Sequence, residues 1–223
     1  MFTARAIQLL NDNFIRNDRA FYMAHKAEFD QYVQQPMKEV AALLMPDMLT
    51  VDPDFESAPA RCLSRLIRDS RRVRDGILYK DHIWISFRIK AETIMPGYYF
   101  EIDPSGYSYG MGMYASCPAH MRTWRDMLAA NPARFEQTAQ LLRKTNGVTS
   151  LGEKYKKARP NNLTGEVAEW YQLKELHFSA GTLPAQRLYD GSFLEPMRSD
   201  LLALAPLYRL LKEVAGIAQV ITG

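Results

Sequence analysis

The chain has 223 residues, of which 47% are hydrophobic, and a formal net charge of +3. This length and composition suffice for a sizeable core, and the charge falls short of the strongly basic balance that would by itself indicate nucleic-acid binding. No run approaches the roughly 18 apolar residues of a membrane span. Because no linker interrupts the sequence, we expect one domain over residues 1–223.

The residues that bear on location are at the amino terminus and at the two cysteines. Residues 1–14 lack the basic region, apolar core and small-residue cleavage site of a secretion signal. Cys62 and Cys117 do not form the dense pattern of a secreted disulfide scaffold. We therefore expect a cytoplasmic protein with reduced thiols and no membrane partner.

The first fifty residues are predicted to be helical. Apolar residues recur at helical spacing in two sets, which are Ile7, Leu10 and Phe14, then Phe21, Tyr22, Phe29, Tyr32 and Val33. Asp18 suits the N-cap of a second helix, and Pro36 suits the first turn of a third.

Alternation then predicts strands. Residues 82–90 place Ile83, Ile85 and Phe87 on one face and polar side chains on the other, which indicates a half-buried strand. Residues 97–115 alternate on either side of the turn sequence DPSG, which predicts a β-hairpin.

The rest of the chain returns mainly to helices. Helical spacing runs from Pro118 through residue 142, and residues 150–160 and 173–180 are candidate strands. Residues 199–217 are predicted to form a closing helix that is bent or restarted at Pro206. The predicted fold class is α+β, with helices packed on a mainly antiparallel sheet.

Searches for catalytic motifs find little. The common hydrolase, metalloprotease and nucleotide-binding signatures are absent from the sequence. Cys117 and His120 are too few to predict a structural zinc site, which usually needs four ligands. We therefore predict no metal and no cofactor, and the sequence leaves catalysis undecided.

Gly110 and Gly112 lie inside the second strand of the hairpin. They share the face opposite Tyr109, Met111 and Met113. Glycine within a strand marks a bulge or the close approach of another group. We expect a helix or a ligand to lie against this face, and the structural interpretation is favoured.

The strongest charge feature is the segment RLIRDSRRVRD, which contains five arginines and two aspartates. Between Arg61 and Lys90, nine basic residues accompany three acidic ones, a local charge of +6, so the other residues sum to −3. Converging guanidinium groups would bind phosphate or carboxylate well. Alternatively, Asp69 and Asp75 pair with neighbouring arginines and the remaining charges face water.

This segment, the hairpin, and the stretches NDRAFYMAHKAEFDQYVQQP and RPNNLTGEVAEWYQLKELHF together resemble a family known only as domain of unknown function 2461, over nearly the whole chain. The family's first motif matches Arg68, Asp69, Arg71, Asp75, Tyr79 and Lys80. Its Gly-x-Gly matches Gly110 and Gly112, and its later motifs match Arg159, Pro160, Lys174 and Phe178. The resemblance implies no established activity.

The chain also departs from the family pattern. Arg72 replaces a phenylalanine, Leu78 a proline and Tyr114 a tryptophan, and the two lysines of the pattern are replaced by Gly76 and Leu176. If those lysines serve a shared anion site, Arg72 and Arg74 compensate for them or the ligand differs.

Three hypotheses follow. The favoured one is an anion-binding pocket for a small phosphate or carboxylate ligand, built from the segment 68–80. The hypothetical ligand-binding residues are Arg68, Asp69, Arg71, Asp75, Tyr79, Lys80, Gly110, Gly112, Arg159 and Lys174. The second is a nucleic-acid-binding module, which the acidic balance of the rest of the chain disfavours. The third is a non-catalytic structural or interaction protein with an internal Arg–Asp network.

Overall fold

The protein is described by a computed structural model that covers residues 1–69, 71, 73–90, 94–114 and 116–222. Its helices and its five-stranded antiparallel sheet form an α+β fold, which confirms the predicted fold class. Arg72, a candidate for a compensating cation, lies outside the described residues.

Helices fill the first fifty residues, as predicted. They are α1 (Ala4–Arg16), α2 (Arg19–Ala24), α3 (Lys26–Glu28), a π-helical turn (Phe29–Gln34) and α4 (Gln35–Val51), followed by the short α5 (Pro59–Cys62). Asp18 caps α2, because its carboxylate accepts hydrogen bonds from the backbone N–H groups of Ala20 and Phe21. Pro36 lies in the first turn of α4, as predicted, although α4 continues directly from the π-helical turn.

The strands are β1 (Ile83–Phe87), β2 (Gly97–Asp103), β3 (Gly106–Gly112), β4 (Thr149–Ser150) and β5 (His177–Ser179), in the spatial order β1-β2-β3-β5-β4. The predicted hairpin is confirmed as β2 and β3. Asp103 shapes its turn by accepting hydrogen bonds from the N–H groups of Ser105 and Gly106 at 2.6 and 3.0 Å. The two later candidate strands are shorter than predicted.

The remaining helices are α6 (Pro118–Ala130), α7 (Pro132–Leu142), α8 (Gly165–Tyr171), α9 (Gln186–Asp190), α10 (Leu194–Ala203) and α11 (Ala205–Thr222). The closing helix therefore breaks between Ala203 and Ala205, just before Pro206. Proline lacks the N–H that a continuous helix would need at that position.

The chain divides into two compact units. Unit 1 comprises residues 1–87, 99–109 and 182–196, and unit 2 comprises residues 88–98, 110–181 and 197–223. Neither unit is a continuous segment, because the chain passes from one to the other several times. The single domain over residues 1–223 stays a prediction.

Each unit has its own aromatic core. In unit 1, the Phe100 ring lies 6.2 Å from Phe2 and from Tyr107 and 5.5 Å from Phe193, measured between centroids. In unit 2, the fully buried Trp124 lies within 6.5 Å of three further rings. These are the rings of Phe135, Trp170 and Phe178. Burial of such rings is the main contribution to the stability of each core.

The close approach predicted at Gly110 and Gly112 is made by a strand. Gly110 pairs with Ser179 and Gly112 with His177 in the antiparallel β3–β5 ladder. A Cβ atom on Gly110 would overlap the Phe178 carbonyl oxygen and lie 2.8 Å from the Ser179 Cα. The neighbouring backbone, and neither a helix nor a ligand, therefore explains the glycine at this position.

Candidate functional site

The arginine-rich segment lies in unit 1 and folds back on itself. Ile67 and Tyr79 form an antiparallel bridge. The Arg68 N–H donates to the Leu78 carbonyl at 2.7 Å, and the Lys80 N–H donates to the Leu66 carbonyl at 2.9 Å. The two ends of the segment are therefore joined by backbone hydrogen bonds, and Asp69, Arg71, Arg74 and Asp75 lie in the connection between them.

Two arginines of this segment, Arg68 and Arg71, bind its two aspartates. One terminal nitrogen of Arg68 donates to both carboxylate oxygens of Asp75 at 3.0 and 2.9 Å, and also to the Ile77 carbonyl. Arg71 makes a two-point contact with Asp69 at 2.9 and 2.8 Å. The hydrogen bond from Arg68 holds the pKa of the Asp75 carboxyl below its usual value. The geometry favours the internal Arg–Asp network over a pocket in this segment.

The next two predicted site residues, Tyr79 and Lys80, also have local partners. Tyr79 is buried, and its ring lies 5.4 Å from that of Tyr22. The Lys80 ammonium lies 3.9 Å from the centroid of the Trp84 ring, a cation–π contact. Burial lowers the pKa of Lys80. These contacts hold the end of the segment against other residues of unit 1.

Asn17 is a further anchor for this segment. It ends α1 in the left-handed region at φ 45°. Its side-chain nitrogen donates to the Gly76 carbonyl at 2.8 Å, and its oxygen accepts from the N–H groups of Leu78 and Tyr79 at 2.8 and 3.2 Å. One side chain thus fixes residues 76–79 against the end of α1.

We expect Asn17→Ala to lower the free energy of unfolding by about 2 kcal/mol, because it removes three hydrogen bonds and leaves alanine in an unfavourable backbone region. Asn17→Gly loses the same bonds but tolerates the backbone, so its loss should be smaller. Urea unfolding of both variants measures the difference. Two variants as stable as the parent would show that this anchor contributes nothing.

A pocket of about 430 Å³ lies in unit 2. Its walls come from the first half of α6, the loop of residues 153–160 and the turn after α8. The lining residues that carry chemistry are Cys117, Arg122, Arg125, Asp126, Tyr155, Arg159, Tyr171 and Lys174. Two of the predicted site residues, Arg159 and Lys174, are therefore in this pocket.

Arg125 is a buried cation among the residues that line the pocket. Its side chain is buried, with the residue 8% exposed, and it donates to the carbonyls of Met121, Tyr171 and Leu173 at 2.8, 3.2 and 3.1 Å. A fourth hydrogen bond goes to the Tyr155 hydroxyl at 3.3 Å. Among the described residues no carboxylate forms an ion pair with Arg125, so neutral oxygens alone balance a buried charge.

Cations surround Tyr155. The guanidinium carbons of Arg159 and Arg125 lie 4.2 and 5.2 Å from its ring centroid, and the Lys174 nitrogen lies at 6.0 Å. Burial acts to raise the pKa of the Tyr155 phenol, but hydrogen bonds and charge from Arg125 and Arg159 outweigh it, and the pKa is lowered. The potential in the pocket is therefore positive.

The loop that carries these cations is held in place. The Arg159 N–H donates to the Gln172 side chain at 2.7 Å, and the Gln172 amide donates back to the Arg159 carbonyl at 2.9 Å. Lys174 pairs with Glu153 at 3.0 Å, and its backbone N–H donates to the Glu153 carbonyl. The pocket wall is thus fixed by hydrogen bonds between the loop and residues 172–174, which directly follow α8.

The start of α6 closes the pocket on the opposite side. Cys117 is the N-cap residue, and its N–H donates to Nδ1 of His120 at 3.0 Å in a capping box. His120 is buried, and burial lowers its pKa. The neutral imidazole accepts this bond, so the proximity of Cys117 and His120 is explained by helix capping.

Comparison with known families identifies the family to which the chain belongs but assigns it no activity. The model of a family described as conserved hypothetical protein, DUF2461, matches residues 5–210. The chain belongs to this family. No curated protein matches it. For this DUF2461 member, no helix in the described part of the chain is long and apolar enough to cross a membrane. Nor do the described residues include a cluster of three or more side chains that could bind a metal.

The sequence patterns did not predict two important residues of the pocket, Arg125 and Tyr155. One signal was available for Arg125. It lies four positions after Met121, so it falls on the apolar face of α6 that also carries Trp124 and Leu128. A charged residue on a buried face needs a partner, and this could have drawn attention to it. Tyr155 has no comparable signal, because it lies in a charged loop.

Proposed function

We propose that this protein binds a small anionic ligand of the phosphate or carboxylate type in the pocket of unit 2. The observation that carries the proposal is the buried Arg125, whose charge meets only neutral oxygens. Burying a charge without an opposite charge is unfavourable. An anion in the pocket would supply the missing charge.

The donors available to such an anion support the proposal. Four hydrogen bonds leave one of the five guanidinium N–H groups of Arg125 for a ligand. Arg122 and Arg159 are exposed residues of the pocket wall, so their guanidinium groups can reach a bound anion from the solvent side. Guanidinium groups bind paired oxygens in two-point contacts, which favours phosphate and carboxylate over halide ions.

The proposal differs in location from the pocket expected in the segment 68–80. The ion pairs of Arg68 with Asp75 and of Arg71 with Asp69 use the charges on which that expectation depended. The predicted residues Arg159 and Lys174 are retained. We also propose a cytoplasmic location, since Cys62 and Cys117 are not joined in a disulfide.

Thermal unfolding with inorganic phosphate or sulfate tests the proposal. A ligand that binds only the folded state stabilises it by RT ln(1 + L/Kd), where L is the ligand concentration, so the midpoint rises with the logarithm of that concentration once it exceeds Kd. We expect either anion to raise the midpoint above that in chloride at equal ionic strength. Arg159→Ala should weaken the affinity by about tenfold, the value of one charge-assisted hydrogen bond.

Lys157→Ala is the matched control, because it removes one exposed positive charge from the same loop but does not line the pocket. It should bind like the parent. Equal losses in Lys157→Ala and Arg159→Ala would indicate general charge attraction and contradict a pocket. The absence of any phosphate or sulfate effect on the parent would also contradict it.

A further inference from the structure

The charges around the pocket limit the charge of its ligand. Four cations line it, which are Arg122, Arg125, Arg159 and Lys174, and Asp126 is the carboxylate among the lining residues. Glu153 lies outside the lining but pairs with Lys174 at 3.0 Å. The four cations less these two carboxylates leave two positive charges for the ligand to balance.

The shape of the site adds a second limit. Small-molecule sites typically enclose roughly 300 to 1,000 Å³, and a volume of about 430 Å³ falls within this range. An inorganic anion alone would leave much of it empty. Met121, Tyr171 and the ring of Tyr155 provide apolar surface beside the charged groups, so an organic group can share the pocket with the anion.

We propose that the ligand is a small organic phosphate monoester bound as the dianion. This inference rests on the proposed anion-binding function and adds the ligand's class and charge state. A phosphate monoester carries nearly two charges above a second pKa of about 6, whereas a carboxylate or a sulfonate carries one. The exposed guanidinium groups of Arg122 and Arg159 and the buried one of Arg125 match the three terminal oxygens of a phosphate.

Two compounds of similar shape but different charge distinguish the effect of ligand charge on affinity from the effect of ligand shape. Phenyl phosphate and benzenesulfonate both join a phenyl ring to a tetrahedral anionic group, but only phenyl phosphate becomes a dianion above about pH 6. Titration calorimetry at about pH 8 and about pH 5, at fixed ionic strength, measures both affinities. Benzenesulfonate keeps one charge throughout. It therefore reports any change in the protein's own groups, including Asp126, His120 and Cys117.

We expect phenyl phosphate to bind about tenfold more tightly than benzenesulfonate at the higher pH, because its extra negative charge is attracted to three guanidinium groups. The advantage should fall to about twofold at the lower pH, where roughly a tenth of the phenyl phosphate is still a dianion. Binding in this pocket should also raise the pKa of the Tyr155 phenol, because a nearby anion disfavours the phenolate. Carbon-labelled tyrosine NMR follows this titration, and Tyr155→Phe assigns the signal.

The outcomes distinguish the two proposals. If both compounds bind equally at the higher pH and both raise the Tyr155 pKa, the dianion inference is overturned while the anion-binding function stands. If neither compound nor inorganic phosphate binds, both are overturned. Tight binding of phenyl phosphate with no change in the Tyr155 pKa would place its site elsewhere and overturn the inference.

Discussion

Replacing Gly110 by alanine is expected to lower the free energy of unfolding by about 3 kcal/mol or more. The added methyl group would overlap the Phe178 carbonyl oxygen and approach the Ser179 Cα to 2.8 Å. Both obstacles are backbone atoms of the paired strand, so no side-chain rotation can relieve them. The β3–β5 pairing must open locally, with loss of its hydrogen bonds.

The same substitution elsewhere provides the controls. Gly112→Ala would place its Cβ 2.5 Å from the Leu176 oxygen and 3.1 Å from the His177 Cα, so we expect a smaller loss. Gly216 lies in α11, where an added methyl group would meet open space, and its replacement by alanine should stabilise the helix by about 0.5 to 1 kcal/mol. Urea unfolding of the three alanine variants measures the order of their stabilities. A Gly110→Ala variant as stable as Gly216→Ala would contradict the packing argument.

Arg125→Met is expected to lower the free energy of unfolding by about 3 kcal/mol, because buried carbonyl groups lose their donors. Methionine keeps much of the length and apolar surface of arginine but donates no hydrogen bond. The carbonyls of Tyr171 and Leu173 lie near the end of α8, where the helix itself offers few donors. This variant should also lose phosphate binding.

Arg122→Met is the matched control for stability. Arg122 lies on the same helix and also lines the pocket, but it is exposed. We expect its replacement to change stability by less than about 0.5 kcal/mol while weakening anion binding. The stability of Arg125→Lys should lie between those of Arg125→Met and Arg122→Met. A lysine ammonium has three donors, but it is too compact to reach all the oxygens that the guanidinium group contacts. Equal stability of the two methionine variants would show that the carbonyl contacts of Arg125 contribute little.

Local sequence patterns predicted much of the fold. The spacing around Asp18, the turn DPSG and the break before Pro206 each depend on backbone chemistry within a few residues. Strands β4 and β5 were harder to predict, because their extent depends on pairing with distant residues. At Gly110 the sequence indicated a close neighbour, but only the register of β3 with β5 identifies it.

The candidate site was less predictable for a related reason. Arg68 and Asp75 are close in sequence, so their ion pair was among the alternatives considered. The pocket instead joins α6 to residues about thirty to fifty positions further along the chain, as in the bond between Arg125 and the Leu173 carbonyl. A dense run of charge drew attention to the segment 68–80, whereas a single buried arginine in an amphipathic helix did not.

The division of unit 1 among three separate segments has a consequence for synthesis on the ribosome. The rings of Phe2 and Phe193 lie 6.0 Å apart although nearly two hundred residues separate them in the chain, so this contact forms only after the third segment has been made. Until then the core of unit 1 lacks Phe193, which packs on the rings of both Phe2 and Phe100. We therefore expect nascent chains of this protein to depend on chaperones that shield apolar segments, and to acquire protease resistance late in translation.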